Sequence, residues 1–337
     1  MTEGSREDGP AVDPALVARI EALAEGRASG FRLKNGALSL VLDVGGMDSE
    51  QREELAARIV AMGAEAPGIE DVRVAMTAER SARPAIIAVG SGKGGVGKST
   101  LAVNLAVALK KLGKRVGMVD ADIYGPSLPR LLASEDRRPE AEGKTLIPVT
   151  NAYGIPMLSM GHLAKPGQAI AWRGPMAGNA LGQLLDAEWR GVDLLVVDLP
   201  PGTGDVQLTM IQRYKPLGAV IISTPQDLAL IDAARAISFF DQAKVPVIGM
   251  VENMAGYVCP HCGEVSDPFG SGGAEASAAQ MGLSFLGRVP LDIVLREASD
   301  AGTPPAAEDG AIGQPFHAIA ERVAQWLDRH GAGTSAG

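Results

Sequence analysis

The chain has 337 residues, 46% of them apolar and 4% aromatic, with 42 glycines, two cysteines and a formal charge of −9. That charge argues against non-specific nucleic-acid binding, and two cysteines are too few for a disulfide framework. No stretch is long and apolar enough to span a membrane, and residues 1–8 lack the apolar core of a secretory signal, so a cytoplasmic protein with no membrane partner is expected.

Residues 1–10 and 331–337 are small and polar and read as disordered tails. Asp13-Pro14 opens a helix, with Asp as cap and Pro at the first helical position. Leu16, Ile20 and Leu23 share one face of it, and Gly26 ends it. Residues 38–43 read as a strand. Asp48 and Gln51 resemble a capping box for a helix carrying Leu55, Ile59 and Met62, and residues 71–76 alternate as a half-buried strand. Residues 11–79 therefore read as a small α+β domain with little core of its own, and 80–84, ending in Arg83-Pro84, as a linker.

From Ala85 onward, apolar runs recur at 85–89, 115–119, 194–197, 219–223, 247–251 and 285–289, separated by helical segments. Continuous apolar strands alternating with helices predict an α/β domain over 85–330. Its sheet would be mostly parallel, doubly wound and covered on both faces. In the last helix, Phe316, Ile319, Val323, Trp326 and Leu327 share one face, and the polar face mixes both signs, so this helix is expected to dock on the core.

The first strand runs into Gly92-Lys93-Gly94-Gly95-Val96-Gly97-Lys98-Ser99-Thr100, which contains the pattern G-x-x-x-x-G-K-S. Glycines let backbone N–H groups close around phosphate oxygens, and the helix N-terminus that follows adds its partial positive charge. Lys98 is placed to reach the β- and γ-phosphates and the Ser99 hydroxyl to ligand Mg²⁺. Lys93 is a second lysine that the general pattern does not require. About one hundred residues later, four apolar residues deliver Asp198, as a buried strand delivers a carboxylate to a Mg²⁺ shell. The segment 199–205, Leu-Pro-Pro-Gly-Thr-Gly-Asp, then reads as a γ-phosphate-sensing loop. Asp120 and Asp122 close the second strand and point the same way if that strand continues, one to orient an attacking water and both to shape the metal shell.

The two cysteines form one C-x-x-C turn, Cys259-Pro260-His261-Cys262. Such a turn suits metal binding or thiol–disulfide exchange. One chain supplies two thiolates where a zinc site or a [4Fe–4S] cluster usually wants four, and two chains meeting at this loop supply the full set. Structural zinc, a redox couple and two inert thiols stand as alternatives. His261 sits awkwardly between the cysteines as a ligand, and His162, His317 and His330 are isolated.

These motifs, in this order over residues 85–305, resemble the Mrp/ApbC family of iron–sulfur cluster carrier ATPases, within the MinD/ParA-like superfamily. The resemblance rests on the deviant Walker A loop at 92–100, the D-A-D-I-Y-G-P-S segment at 120–127, Arg173-Gly174-Pro175-Met176, 198–205, Thr224-Pro225-Gln226, Glu252-Asn253-Met254, the C-x-x-C turn, 269–273 and 286–292. It implies a homodimer binding ATP with Mg²⁺, in which Lys93 contacts phosphates of its own or the facing subunit. It further implies that Asn253 helps recognise adenine and that Cys259 and Cys262 hold a labile [4Fe–4S] cluster between subunits. Iron–sulfur donors and recipient apo-proteins would be the partners, and hydrolysis would be slow. The small domain resembles the MIP18-like domain that often precedes such ATPases, but it has no cysteine and only Val12-Asp13-Pro14-Ala15 in place of a D-P-E-like segment. It is expected to be degenerate, with a docking or vestigial role. A MinD- or ParA-like positioning ATPase and a C-x-x-C thiol oxidoreductase are the competing functions.

Overall fold

The computed structural model describes residues 12–44, 47, 49–77, 83–123, 125–143, 145–163 and 175–331. The expected tails apart from Gly331, most of the linker, the Asp48 cap, Tyr124 and the Arg173-Gly174 pair lie outside the described residues. Two compact units divide at Arg83 and Pro84.

In the first unit, helix α1 (Pro14–Leu23) is capped by Asp13, whose Oδ1 accepts from the Ala15 N–H at 2.9 Å. Three strands follow: β1 (Ala28–Lys34), β2 (Ala37–Asp43) and β3 (Asp71–Thr77), with helix α2 (Ser49–Ala64) between the last two. β2 lies in the centre, antiparallel to β1 and parallel to β3. Leu38, Leu40 and Leu42 alternate onto the covered face and meet Leu16, Ile20 and Ile59. β1 was not expected. Its Ser, Gly, Arg and Lys content hides a period-2 pattern, since beyond the buried Ala28 at its start only Phe31 and Leu33 pack on the core.

The second unit carries β4 (Ala85–Ser91), α3 (Lys98–Lys111), β5 (Val116–Asp120), the short α4 (Leu128–Leu131) and a small hairpin of β6 (Glu140–Glu142) and β7 (Thr145–Ile147). Next come β8 (Val149–Thr150), β9 (Pro156–Ser159), α5 (Met160–Leu163), α6 (Pro175–Leu185) and β10 (Leu194–Asp198). α7 (Asp205–Thr209) runs into a π-helical turn (Met210–Tyr214), followed by β11 (Gly218–Ser223), α8 (Asp227–Gln242) and β12 (Val247–Val258). The chain ends with β13 (Val265–Ser266), α9 (Gly273–Gln280), β14 (Phe285–Leu291), α10 (Ile293–Asp300) and α11 (Gln314–His330).

Among the described residues the large sheet runs β13-β12-β11-β4-β10-β5-β9-β8, with β14 also paired to β12. All its pairings are parallel except those of β13 and β8 at the margins. Alternate residues feed two cores. Ile87 and Val89 face α3 and α11, whereas Ile86 and Ala88 face the side of α6 and α8. The mostly parallel, doubly wound fold is thus as expected, and each apolar run has become a strand. Phe316, Ile319, Val323 and Leu327 bury against the first core, so α11 docks on the domain as its mixed-charge face suggested. Truncating a buried Ile, Leu or Phe to alanine costs about 2–5 kcal/mol.

One expectation fails. β5 stops at Asp120, and the Asp122 N–H turns back to Asp120 Oδ1 at 3.2 Å, so the two carboxylates do not continue along one strand. The local Asp–turn hydrogen bond competes with further sheet pairing and prevails.

Candidate nucleotide and thiolate sites

β4, β5, β10 and β11 are parallel and in register, with Asp198 opposite both Asp120 and Val89, and Ile222 opposite Ser91. Their carboxyl ends therefore gather the chemistry-bearing residues at one edge, where ligands bind on such sheets. The P-loop connects β4 to α3. Gly97 sits at φ 84° just before the helix, and a Cβ there would lie 2.1 Å from Asn253 Nδ2. At Gly92 a Cβ would strike the Asp232 backbone at 2.1 Å. Only glycine permits both the left-handed turn and the close approach of α8.

Lys98 is buried and pairs with the fully buried Asp198, Nζ to Oδ1 at 2.5 Å. Burial pushes Asp198 up, while the Lys98 ammonium and the Ser99 hydroxyl oppose that shift. Asp198 Oδ2 is buried with no hydrogen-bond partner among the described residues. A buried, unpaired carboxylate oxygen is costly unless something cationic completes it. The donor chemistry at Asp198 and Ser99 therefore fits a hard divalent ion such as Mg²⁺.

Asp120 is fully buried too, and its oxygens are taken by the chain. Oδ2 accepts from the Leu128 N–H at 3.1 Å and the Ser159 hydroxyl at 2.9 Å. Burial, reinforced by the Asp198 carboxylate, pushes it up to about 7. Asp120 organises the loop after β5. Asp122, half-buried and holding the Gly125 N–H at 3.1 Å, is the one more open to solvent.

Lys93 places Nζ 3.4 Å from Gln226 Oε1 in the segment after β11. Asn253, on β12, donates from Nδ2 to the Val96 carbonyl at 2.8 Å and so supports the P-loop from beneath. Gly94, Gly95, Ser99 and Thr100 lie along the same loop and helix start, with Gly95 at φ 79°.

Sequence reasoning missed two residues. Gln207, buried in α7, donates from Nε2 to the carbonyls of Pro200 at 2.7 Å and Gly202 at 3.1 Å, while its Oε1 accepts from the Gly204 N–H at 3.0 Å. It shapes the loop between β10 and α7. Ser159, at the end of β9, anchors Asp120. The signal for Gln207 was a glutamine three residues after the Gly204 cap position, the capping-box spacing. Ser159 had none, because its strand was not expected.

The cysteine turn closes the β12–β13 hairpin. The Cys259 N–H donates to the Glu264 carbonyl at 2.9 Å and the Gly263 N–H to the Cys259 carbonyl at 2.8 Å. Backbone N–H groups of His261 and Cys262 face the Cys259 sulfur and hold its thiol below the ordinary range. That is the environment a metal-bound thiolate needs. Cys262 is exposed, and both thiols are free. Among the described residues no third His, Cys, Asp or Glu joins the pair to make a metal-binding group. The turn does not open a helix, so the thioredoxin-like context is missing. No helix among the described residues is long and apolar enough to cross a membrane.

Comparison with known proteins shows the family and the fold. The family model of the NUBPL iron-transfer P-loop NTPases, in the ParA group, matches residues 83–324. An iron-sulfur cluster carrier protein of Haemophilus influenzae is 48% identical over 245 residues, covering 72% of this chain and 66% of the relative. The chain thus spans just under two thirds of that relative's length. One of Methanocaldococcus jannaschii is 44% identical over 245 residues, covering 72% of this chain and 84% of the relative. Among solved structures, a nucleotide-binding protein of Archaeoglobus fulgidus in complex with ADP superposes with a TM-score of 0.60 at 40% identity, covering 69% of this chain and 91% of that one. MinD of Aquifex aeolicus shares the fold, with a TM-score of 0.53 at 22% identity, covering 72% of this chain and 97% of that one. The phosphate loop, the buried Lys98–Asp198 pair and the paired thiols thus sit in a chain that belongs to the NUBPL family of iron-transfer P-loop NTPases.

Proposed function

We propose that this protein is an ATP-dependent carrier of iron–sulfur clusters. Two copies hold one [4Fe–4S] cluster as cargo between their Cys259 and Cys262 pairs and pass it to recipient apo-proteins. The observation that carries the reading is the thiolate turn itself, which offers two preorganised sulfur ligands and, among the described residues, no third. Two ligands per chain make a shared, labile site on a two-fold axis.

ATP binds with its phosphates on the N–H groups of residues 94–99 and at Lys98, which gives up Asp198 to reach them. Bound Mg²⁺ would be held by Ser99 and Asp198 and would neutralise charge on the phosphates. Asp122 orients the attacking water, Asp120 fixes the loop that carries Asp122, and Lys93 leaves Gln226 to contact phosphate. Asn253 contributes to the adenine pocket while holding Val96. Hydrolysis is slow and serves cluster transfer. The small first unit docks partners rather than binding cluster.

Anaerobic reconstitution with iron and sulfide tests this. Cys259→Ala and Cys262→Ala should each abolish the cluster absorbance. Lys98→Ala should assemble the cluster normally yet lose nucleotide-dependent delivery to an apo-protein. Normal delivery by Lys98→Ala would sever ATP from transfer.

A further inference from the structure

The P-loop and the cysteine turn are joined by a single strand. β12 carries Asn253, whose amide grips the Val96 carbonyl, and six residues later the chain reaches Cys259. The neighbouring Glu252 is fully buried and pins the other end of the cysteine excursion. Its Oε1 accepts from the Gly272 N–H at 3.0 Å and from Arg288 Nε at 2.9 Å, and its Oε2 from the Ala274 N–H at 2.8 Å. Successive strand residues face opposite sides, so one dipeptide holds the phosphate loop on one face and the return of the cysteine excursion on the other.

Between Asn253 and the cysteines the strand is irregular. Met254 adopts φ 59° and Gly256 φ 78°, and pairing with β14 slips so that Asn253 faces Val289 but Tyr257 faces Leu291. Four steps on one strand answer two on the other, which is a bulge. A methionine in the left-handed region costs about 1–2 kcal/mol, and such strain persists only where the surroundings impose it. Here both sides impose it: the Asn253–Val96 bond upstream, and the Tyr257–Ser266 and Val258–Val265 pairing downstream.

We propose that the Met254–Gly256 bulge is the hinge through which occupancy of the P-loop is transmitted to the cysteine turn, with Asn253 as the positioning residue that senses the loop. Phosphate binding draws in the N–H groups around Val96 and shifts its carbonyl. Asn253 follows, and the strained bulge, rather than the anchored Glu252, takes up the movement and swings the hairpin that ends in Cys259. The coupling rests on the carrier reading for its purpose, but its detection needs no cluster.

The test is alkylation of Cys259 and Cys262 by iodoacetamide in the full-length, metal-free protein, followed by mass spectrometry with and without Mg²⁺ and ATPγS. Saturating nucleotide should change the alkylation rate of the wild type about threefold or more, the factor by which the hinge equilibrium is biased. Met254→Gly removes the Cβ that confines the bulge, so movement dissipates there. It should bind nucleotide within about twofold of wild type yet show one alkylation rate in both states. Asn253→Asp, which cannot donate to Val96, should also lose the response at saturating nucleotide. The inference is overturned if the wild-type thiols ignore nucleotide, or if Met254→Gly, melting as wild type, keeps the full response. Failure to take up iron would sink the carrier reading and leave this result standing.

Discussion

Replacing Gly97 by alanine tests the packing under the P-loop. The position sits at φ 84°, where an alanine costs about 1–2 kcal/mol. The new Cβ would also lie 2.1 Å from Asn253 Nδ2, so the asparagine must swing away and surrender its 2.8 Å bond to the Val96 carbonyl. Losing that bond and leaving a buried carbonyl unpaired costs a further ~2–3 kcal/mol. Gly97→Ala should therefore destabilise the domain by about 3–5 kcal/mol in urea unfolding. In an Asn253→Ala background the clash and the bond are both gone, and Gly97→Ala should cost only its backbone share of about 1–2 kcal/mol. The double-mutant cycle should thus return a coupling of about 2–3 kcal/mol. Additive effects would show that Asn253 does not support the loop, and the structural argument for it would fall.

His162 is buried, both its ring nitrogens lack partners among the described residues, and burial, aided by the positive Arg138, lowers it from 6.5 to about 4. The unfolded chain takes up the proton first, so stability present above pH 6.5 is lost as pH falls toward 4. The loss is at most about 3 kcal/mol, the energy of the drop from 6.5 to about 4. His162→Leu should flatten the wild-type melting profile across this window, whereas an unchanged slope would place the titration elsewhere. Gln207→Ala should leave ATP affinity near wild type and lower hydrolysis about tenfold or more, because the loop at 200–204 loses its template. Equal loss of binding and turnover would give Gln207 a different role.

The sheet was legible because parallel strands buried on both faces must be continuous apolar runs, and 85–89, 194–197 and 219–223 are such runs. The P-loop was legible because phosphate cradling leaves little choice of residue. β1 and β9 were not. β1 is a half-exposed edge with polar side chains, and Pro156–Ser159 is four residues long. The roles of Asp120 and Asn253 depend on distant partners. Ser159 is 39 residues from Asp120, and Val96 is 157 residues from Asn253. No local pattern marks such pairs, which only the folded sheet brings together.

Native mass spectrometry of the anaerobically reconstituted protein addresses the carrier reading most directly. The account predicts one [4Fe–4S] cluster on a species of two chains, and cluster-free single chains when either Cys259 or Cys262 is alanine. A complete cluster on one chain, or iron retained by the Cys259→Ala, Cys262→Ala double variant, would contradict it.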